Sequence, residues 1–529
     1  RNPATVSRHN RAWHETEQPL TGTNRPVTTT ATAEAGDTTR RYWILATVTL
    51  ATMLFAMTVT ISYVVLPQMQ GSLSTTQDQI AWTVTFNLVA TAVGTPASGW
   101  LANRFGRRAL MFWCVTGFSI ASLLCGTATT LEELIVYRIL QGLLGAPITP
   151  LSQAIILGVF ERRQHSVATA IWGVGVVCGP IIGPTIGGFV AEAYNWRWVF
   201  FMTFPVCVVS ILSVLVFITD RQRNAGIRLD WTGFLALSLA VASFQLMLDR
   251  GERLDWFNSR EIIIEACIAG VGLYLFAVHS ATADKPFLDP KLFLDRNFTI
   301  GLFFAFAFGG LAFVPMVLLP TMLQDLQGYP DSIIGIVLAS RGVGSMVGSV
   351  ALVLLAGRLD PRIGLVIGFG SQGLSGLQMA QFDLNVSMLD VMWTSAFQGF
   401  GNSFLWAPLT VIAFGTLPTA KLGEATAVFH LIRNLGSAIV ISICVGVVIH
   451  SSGVSYSVIS EFLNPYNEAF NWSSVTRGWS LESTTGLAML SDEVERQASM
   501  IGYINAFYVF SAFAISVIPF IPFLKRPDT

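Results

Sequence analysis

Residues 99–108 read Gly99-Trp100-Leu101-Ala102-Asn103-Arg104-Phe105-Gly106-Arg107-Arg108, a short turn with three arginines between apolar runs at 79–101 and 109–128. Each run is close to the ~20 residues that carry a helix across ~30 Å of hydrocarbon. Twelve more such runs occur, at 43–66, 132–158, 166–190, 198–219, 231–248, 261–280, 298–321, 331–356, 363–382, 388–413, 423–450 and 500–524. Fourteen membrane spans are therefore predicted. The loops between them alternate in charge. The set containing the turn 99–108, with the two tails, holds twenty-two of the 31 Lys and Arg residues. The opposite set holds only Arg197, Arg250, Arg253, Arg260, Arg477 and Arg496. Lys and Arg are retained on the cytoplasmic side. The bias predicts an all-α polytopic membrane protein with an even number of spans and both termini cytoplasmic.

Composition supports this reading. The chain is 52% hydrophobic and 12% charged, about half the charge of an ordinary soluble protein. A net charge of −1 gives no basis for a nucleic-acid partner. Cys114, Cys125, Cys178, Cys207, Cys267 and Cys444 all fall inside predicted spans, where they read as small buried hydrophobes rather than disulfides or metal ligands. No metal or cofactor is expected. Residues 1–40, rich in Thr, Arg and Glu without apolar periodicity, read as a disordered cytoplasmic tail. The chain opens on Arg1 rather than Met, which predicts further N-terminal residues.

Two halves of the sequence echo one another. Gln141-Gly142 returns as Gln398-Gly399, Gly158 as Gly415 and Ala168-Thr169-Ala170 as Ala425-Thr426-Ala427, each 257 residues on. Val65-Leu66-Pro67 is echoed by Leu318-Leu319-Pro320 at an offset of 253. Several echoes in one register argue for duplication. The duplication predicts a six-helix bundle at 41–220, an inserted helix pair with linker at 221–297 and a second six-helix bundle at 298–525. Two like-oriented bundles with a site between them at mid-membrane form the architecture of a rocking secondary transporter. The four lysines, Lys285, Lys291, Lys421 and Lys525, occupy no Gly-Lys-Ser/Thr P-loop, which excludes ATP hydrolysis of that type. No soluble segment is long enough for a catalytic domain, so the chain is not read as an enzyme.

The turn 99–108, Arg138-Ile139-Leu140-Gln141-Gly142 in the fourth span and the fifth span's Gly175, Gly179-Pro180, Gly183-Pro184 and Gly187-Gly188 appear in one order. In that order they resemble the major facilitator superfamily, specifically its fourteen-span drug:proton antiporters of the EmrB/QacA type. Leu248-Asp249-Arg250-Gly251, Trp196-Arg197-Trp198 and Arg296-Asn297-Phe298-Thr299 strengthen the likeness to the EmrB type. The resemblance implies that the fifth-span helix seals the cavity in one state, and that Gly99, Asn103, Arg104, Gly106, Arg107 and Arg108 form a cytoplasmic latch. Asn103 stands where the family usually has Asp. Close helix packing alone is a second reading of the glycines, and membrane topology alone a second reading of the arginines.

Charges inside a bilayer cost a few kcal/mol and face a partner or a wet cavity. The deep ones are Arg138, Arg341, Arg433 and His430, with no deep Asp or Glu. This excess predicts an electropositive cavity suited to anionic or weakly acidic amphiphiles. Gln141, Gln398, Asn402 and Asn87 are expected to line it, with Trp172, Trp406 and Phe429 as apolar walls. Pairing of Arg138 with Glu132 or Glu133, and of Arg433 with backbone carbonyls, are structural alternatives. The first span reads Met57-Thr58-Val59-Thr60-Ile61-Ser62-Tyr63, where the resemblance implies an Asp at position 58 and an Asn at position 63. Thr58 carries no proton, so coupling passes to another group: His430, then Asp78 or Glu265, or the weak-acid substrate itself.

The outer loop 451–498 contains Pro465-Tyr466-Asn467, Trp472 and Trp479. It reads either as an interfacial segment anchored by tryptophan or, as the resemblance implies, as a docking surface for a periplasmic adaptor joined to an outer-membrane channel. Asn471-Trp472-Ser473 also fits a glycosylation acceptor. The expected function is proton-driven export of hydrophobic weak acids across the inner membrane by alternating access. A carrier for one metabolite, and an uncoupled sensor or scaffold, are the alternatives.

Overall fold

The computed structural model describes residues 28–219, 229–284, 286–355, 359–418, 421–464, 466–468 and 483–524. Every predicted span is helical. The N-terminal set is α1 (Thr28–Val64), α2 (Gln77–Phe105), α3 (Arg107–Thr127), α4a (Leu131–Gly145) and α4b (Ile148–Val159), α5 (His165–Ala193), and α6a (Trp196–Phe201) with α6b (Thr203–Phe217). The inserted pair is α7 (Trp231–Arg250) and α8 (Arg260–Thr282). The C-terminal set is α9 (Arg296–Gln327), α10 (Asp331–Leu354), α11 (Pro361–Met379), α12 (Met388–Gly415), α13 (Leu422–Glu461) and α14 (Thr484–Val517). Twelve of these spans are long and apolar enough by themselves to cross a membrane. In α11 the buried Ser371, Gln372 and Ser375 face protein rather than lipid, so that helix needs less apolar surface.

Local chemistry sets the helix ends. Thr76 and Gln79 form a reciprocal capping box at the start of α2. Asp295 accepts from Phe298 N–H at 2.9 Å to start α9. Gly106 separates α2 from α3 at φ +92°, a conformation that L side chains rarely adopt.

The duplication is visible in helix contacts. Gly175, Gly179, Gly183 and Gly187 of α5 lie on Thr49, Met53, Met57 and Ile61 of α1, both series stepping by four. Small residues at that spacing let two backbones approach closely. In the second half Gly436 of α13 lies against Phe306 O of α9. Gly179 lies against Met53 O in the same way, and these two contacts differ by the same 257 and 253 residues that relate the halves. The inserted pair lies between the halves: Thr85 of α2 donates to Asp249 of α7, while Ser442 of α13 donates to Leu248 O at 3.3 Å. The other face of α8 is bare, with Tyr274 68% exposed, which suits contact with lipid tails.

Two expectations need correction. Of the tail 1–40, residues 1–27 lie outside the described residues, and α1 starts at Thr28. A helix already nucleated in the membrane extends at little cost, so polar composition did not stop it. The loop 451–498 is helical up to Glu461 and again from Thr484. Leu490, Val494 and Ala498, four apart on α14, are buried, and Tyr456 Oη lies 3.1 Å from Ser491 Oγ across the pair. At 1.5 Å per residue the 40-residue α13 is ~60 Å long, twice the hydrocarbon thickness. Pro465, Trp472, Trp479 and the sequon lie outside the described residues.

Candidate functional site

A cavity of about 50 Å³ lies between the halves, within the spanning segments of five helices. Only α5 of the first half contributes to it, through residues including Gly173, Val176 and Pro180; α9, α10, α12 and α13 supply the rest. Its lining is largely apolar, with Phe308, Phe313 and Met316 from α9. Close packing makes room for the aromatic wall: a Cβ on Gly173 would sit 3.0 Å from Trp406 Cδ1.

The polar groups are few and mostly donors. Arg341 of α10 is 4% exposed, and its Nη2 donates to Ala312 O. Its Nε and Nη1 are buried without a protein acceptor. Arg433 of α13 donates from Nη2 to Asn434 Oδ1 at 2.8 Å, and its guanidinium stacks 5.7 Å from Phe313 and 5.6 Å from Trp406. Its Nε and the indole Nε1 of Trp406 also lack partners. Asn402 Oδ1 is the buried unpaired acceptor among these cavity-lining groups. Buried unpaired polar atoms cost roughly 1–3 kcal/mol each, more when charged. Two guanidiniums with spare donors thus lie beside aromatic rings at this cavity.

The structure brings Arg341, Asn402 and Arg433 to this cavity and places other predicted residues elsewhere. Arg138 lies inside the first bundle: its Nε donates to Thr83 O at 3.3 Å, Nη1 donates to Gln141, and the guanidinium lies 5.9 Å from Phe200. Asn87 donates to Arg138 O at 2.8 Å, and Gln141 donates to Ser122 Oγ at 2.7 Å. Glu133 caps α4a by accepting from Thr129. Gln398 lies inside the second bundle, donating to Leu311 O and to Gln372 Oε1. The repeated Gln141/Gln398 pair thus ties helices within each bundle. Thr58 is buried and donates to Leu54 O at 2.8 Å, the ordinary intrahelical bond of a threonine in a membrane helix. The side chains of Tyr63, Asp78 and Pro184 lie outside the described residues.

His430 is not on the cavity wall. It is 1% exposed and its Nε2 lies 2.7 Å from Gln153 Oε1 of α4b, so it links the halves one turn nearer the cytoplasm than Arg433. Trp172, Trp406 and Phe429 surround its ring, and Trp172 meets Trp406 with centroids 5.6 Å apart. Trp172 Nε1 also donates to Thr52 Oγ1 at 3.2 Å. Gln153 had no motif to mark it. Only its deep position in an otherwise apolar helix, Ile148–Val159, could have drawn notice.

The basic turn also makes specific contacts. A Cβ on Gly99 would sit 2.8 Å from Glu424 Cα, so α2 crosses the start of α13 with no room to spare. Asn103 Oδ1 is near Gly423, and Arg104 occupies the last turn of α2, where a cation suits the helix dipole. Arg107 Nη1 donates to Ala154 O at 3.0 Å and lies over Gly158. Arg108 Nη2 donates to Leu215 O at 2.6 Å. Gly188 sits half-buried beside the α5 stripe. Nearby, the linker after α8 is pinned to the second half. Asp289 N–H donates to Glu424, and Lys421 Nζ donates to Asp289 Oδ2 at 2.7 Å. Burial raises the Asp289 carboxyl, but hydrogen bonds from Lys421 and from Lys291 N–H outweigh it and hold the group below its usual range. Asp230 is likewise held low: burial opposes this, and Gly233 N–H, His279 and Phe287 N–H prevail.

Known proteins share this sequence and fold. The pattern of the Major Facilitator Superfamily matches residues 48–441. Multidrug export protein EmrB of Escherichia coli strain K12 is 31% identical over 90% of this chain and 94% of its own length. Fatty acid resistance protein FarB of Neisseria gonorrhoeae is 29% identical over 92% and 96%. Among solved structures, the human organic anion transporter MFSD10 superposes with a TM-score of 0.59 at 13% identity, covering 91% of this chain and 99% of that one. Duplicated bundles, an interfacial cavity and these similarities over almost the whole length agree: the chain belongs to the Major Facilitator Superfamily, in the branch of EmrB-like export proteins.

Proposed function

We propose that this multidrug efflux transporter exports hydrophobic, weakly acidic compounds across the bacterial inner membrane by alternating access, with energy from the proton gradient. One observation carries the reading: Arg341 and Arg433 present unpaired guanidinium donors to an aromatic cavity between the halves. A carboxylate or phenolate would complete those hydrogen bonds, and the rings would hold its apolar body. A lipophilic cation would meet two like charges. That FarB is a fatty acid resistance protein accords with this substrate class.

Rocking opens the cavity to one side at a time. On the cytoplasmic side this requires parting of His430 from Gln153, Trp172 from Trp406, and the Gly99 crossing from α13. Arg341, Arg433 and Asn402 bind the cargo in this reading, while the basic turn and the α5 glycines serve as latch and hinge. The paired α13–α14 extension offers a rigid periplasmic surface for an adaptor that continues to an outer-membrane channel. Cells lacking their own exporters and expressing this chain should tolerate lipophilic acids but gain no tolerance to lipophilic cations. Arg341→Gln should lose that tolerance at equal membrane abundance. Equal protection against acids and cations would refute the anion reading. Protection against neither would favour a dedicated metabolite carrier or a sensor.

A further inference from the structure

The layer between the cavity and the cytoplasm contains a basic nitrogen with an unused lone pair. His430 of α13 and Gln153 of α4b face each other across the seam between the halves, with 2.7 Å from Nε2 to Oε1. With that oxygen as acceptor, Nε2 carries the imidazole hydrogen and donates, and Nδ1 keeps its lone pair. Nδ1 is buried without a protein partner, and so is Gln153 Nε2. Trp172, Trp406 and Phe429 enclose the ring. The charged groups that face this layer among the described residues are cations. Arg433, one turn on along α13, lines the cavity with Arg341 of α10. Arg107 of α3 donates to Ala154 O beside Gln153. The other neighbours are uncharged: α4b, α5 and α12 present Gln153, Trp172 and Trp406, and α1 reaches the layer through Thr52, which accepts from Trp172 Nε1.

Resting on the anion-exporter reading, we propose that His430 carries the exchanged proton and that its protonation unlocks the cytoplasmic side. Imidazole is the side chain whose charge changes in the physiological pH range. The neutral ring satisfies Gln153 Oε1 and holds the halves together. A proton taken from the periplasmic side binds Nδ1. The imidazolium keeps its bond to Gln153, gains an N–H donor without an acceptor, and lies one turn from Arg433. A buried charge so placed is unfavourable. Water at an opened seam relieves it, so protonation drives the halves apart there. The proton then leaves Nδ1 to the cytoplasm, the less acidic side. An anion entering beside Arg341 and Arg433 offsets their charge, and the neutral ring closes on Gln153 again. One proton moves inward for each anion moved outward, and the guanidiniums stay with the protein throughout.

The full chain in sealed liposomes tests this with radiolabelled naphthalene-2-sulfonate, an aromatic amphiphile that stays anionic throughout the working pH range. Valinomycin with equal K⁺ on both sides holds the potential at zero, and trapped pyranine reports lumen pH. Two quantities are read: exchange of labelled for unlabelled probe at equal pH, and proton entry as preloaded probe leaves down its gradient. The native chain should show both. His430→Gln, purified as the same monodisperse species, keeps a neutral polar side chain opposite Gln153 but takes no proton. Its exchange should stay within about threefold of native while its proton entry falls at least about tenfold. Proton entry unchanged in His430→Gln overturns the assignment and leaves the exporter reading standing, as does exchange without proton entry in the native chain. Loss of exchange and proton entry together makes His430 a packing residue and overturns the assignment too. Absence of any protein-dependent exchange by the native chain refutes the anion reading beneath it.

Discussion

Replacing Arg341 by Gln removes one buried cation while keeping a polar side chain beside Ala312 O. In the native protein, one Arg341 donor is used by that carbonyl and two, Nε and Nη1, have no protein acceptor; on the proposed reading these two bind the cargo. A hydrogen bond to a charged group is worth roughly 1.5–3 kcal/mol. Losing one such bond should weaken binding of a lipophilic carboxylate about 10–150-fold, since each ~1.4 kcal/mol is tenfold. The uncharged primary amide of the same acid makes no ion pair in either protein, and its affinity should change less than about threefold. Arg341→Lys keeps the charge but not the planar fork, so it should fall between the two. The assay is equilibrium binding to detergent-purified protein by quenching of tryptophan fluorescence, with thermal unfolding confirming that each variant is folded. Equal losses for acid and amide would show that Arg341 supports packing alone. No loss for the acid would remove Arg341 from the binding site.

Other contacts yield further expectations. Gly179→Val places side-chain atoms where a Cβ alone would already lie 2.5 Å from Met53 O; overpacking of this kind costs about 1–3 kcal/mol, so lower thermal stability and loss of export should appear together. Gln153→Ala removes the link to His430 and should raise labelling of a cysteine introduced at Ala170 by a membrane-impermeant maleimide applied from the cytoplasmic side; unchanged labelling would deny this layer a gating role. The Asp289–Lys421 contact has a defined pH sign. With the carboxyl held below its ordinary value of 3.8, its contribution is fully present above that value and disappears as pH falls through the lower folded value. Protease resistance of the linker should therefore be flat from pH 8 to about 5, and Lys421→Ala should shift the onset of acid sensitivity upward. Shortening α13 and α14 together beyond Ser452 and Gly502 should leave transport in liposomes intact yet abolish resistance in cells if an adaptor docks there.

Much of this was legible in one dimension. Span number follows from runs of apolar residues, because an unpaired backbone in hydrocarbon leaves the helix as the cheap solution, and the Lys/Arg bias adds an orientation. The 257-residue echo foretold two equivalent bundles, and the Gly179 and Gly436 contacts repeat it in space. Helix extent was less legible. Polar residues near 28–40 and 451–498 suggested irregular chain, yet a helix leaving the membrane continues wherever a partner covers its apolar stripe, as Leu490, Val494 and Ala498 show.

The sequence by itself determined that this protein is a duplicated, fourteen-helix membrane carrier with more deep cations than deep acids, because composition, spacing and charge bias are properties of the chain alone. Only the tertiary structure decided which of those cations line the cavity between the halves. Arg138 and Arg341 look alike as lone arginines in apolar helices, but Arg138 is engaged by Thr83 and Gln141 within one bundle, whereas Arg341 keeps two donors for a space between bundles. That difference depends on the rotation of each helix about its axis, which neighbours from distant parts of the chain set through packing.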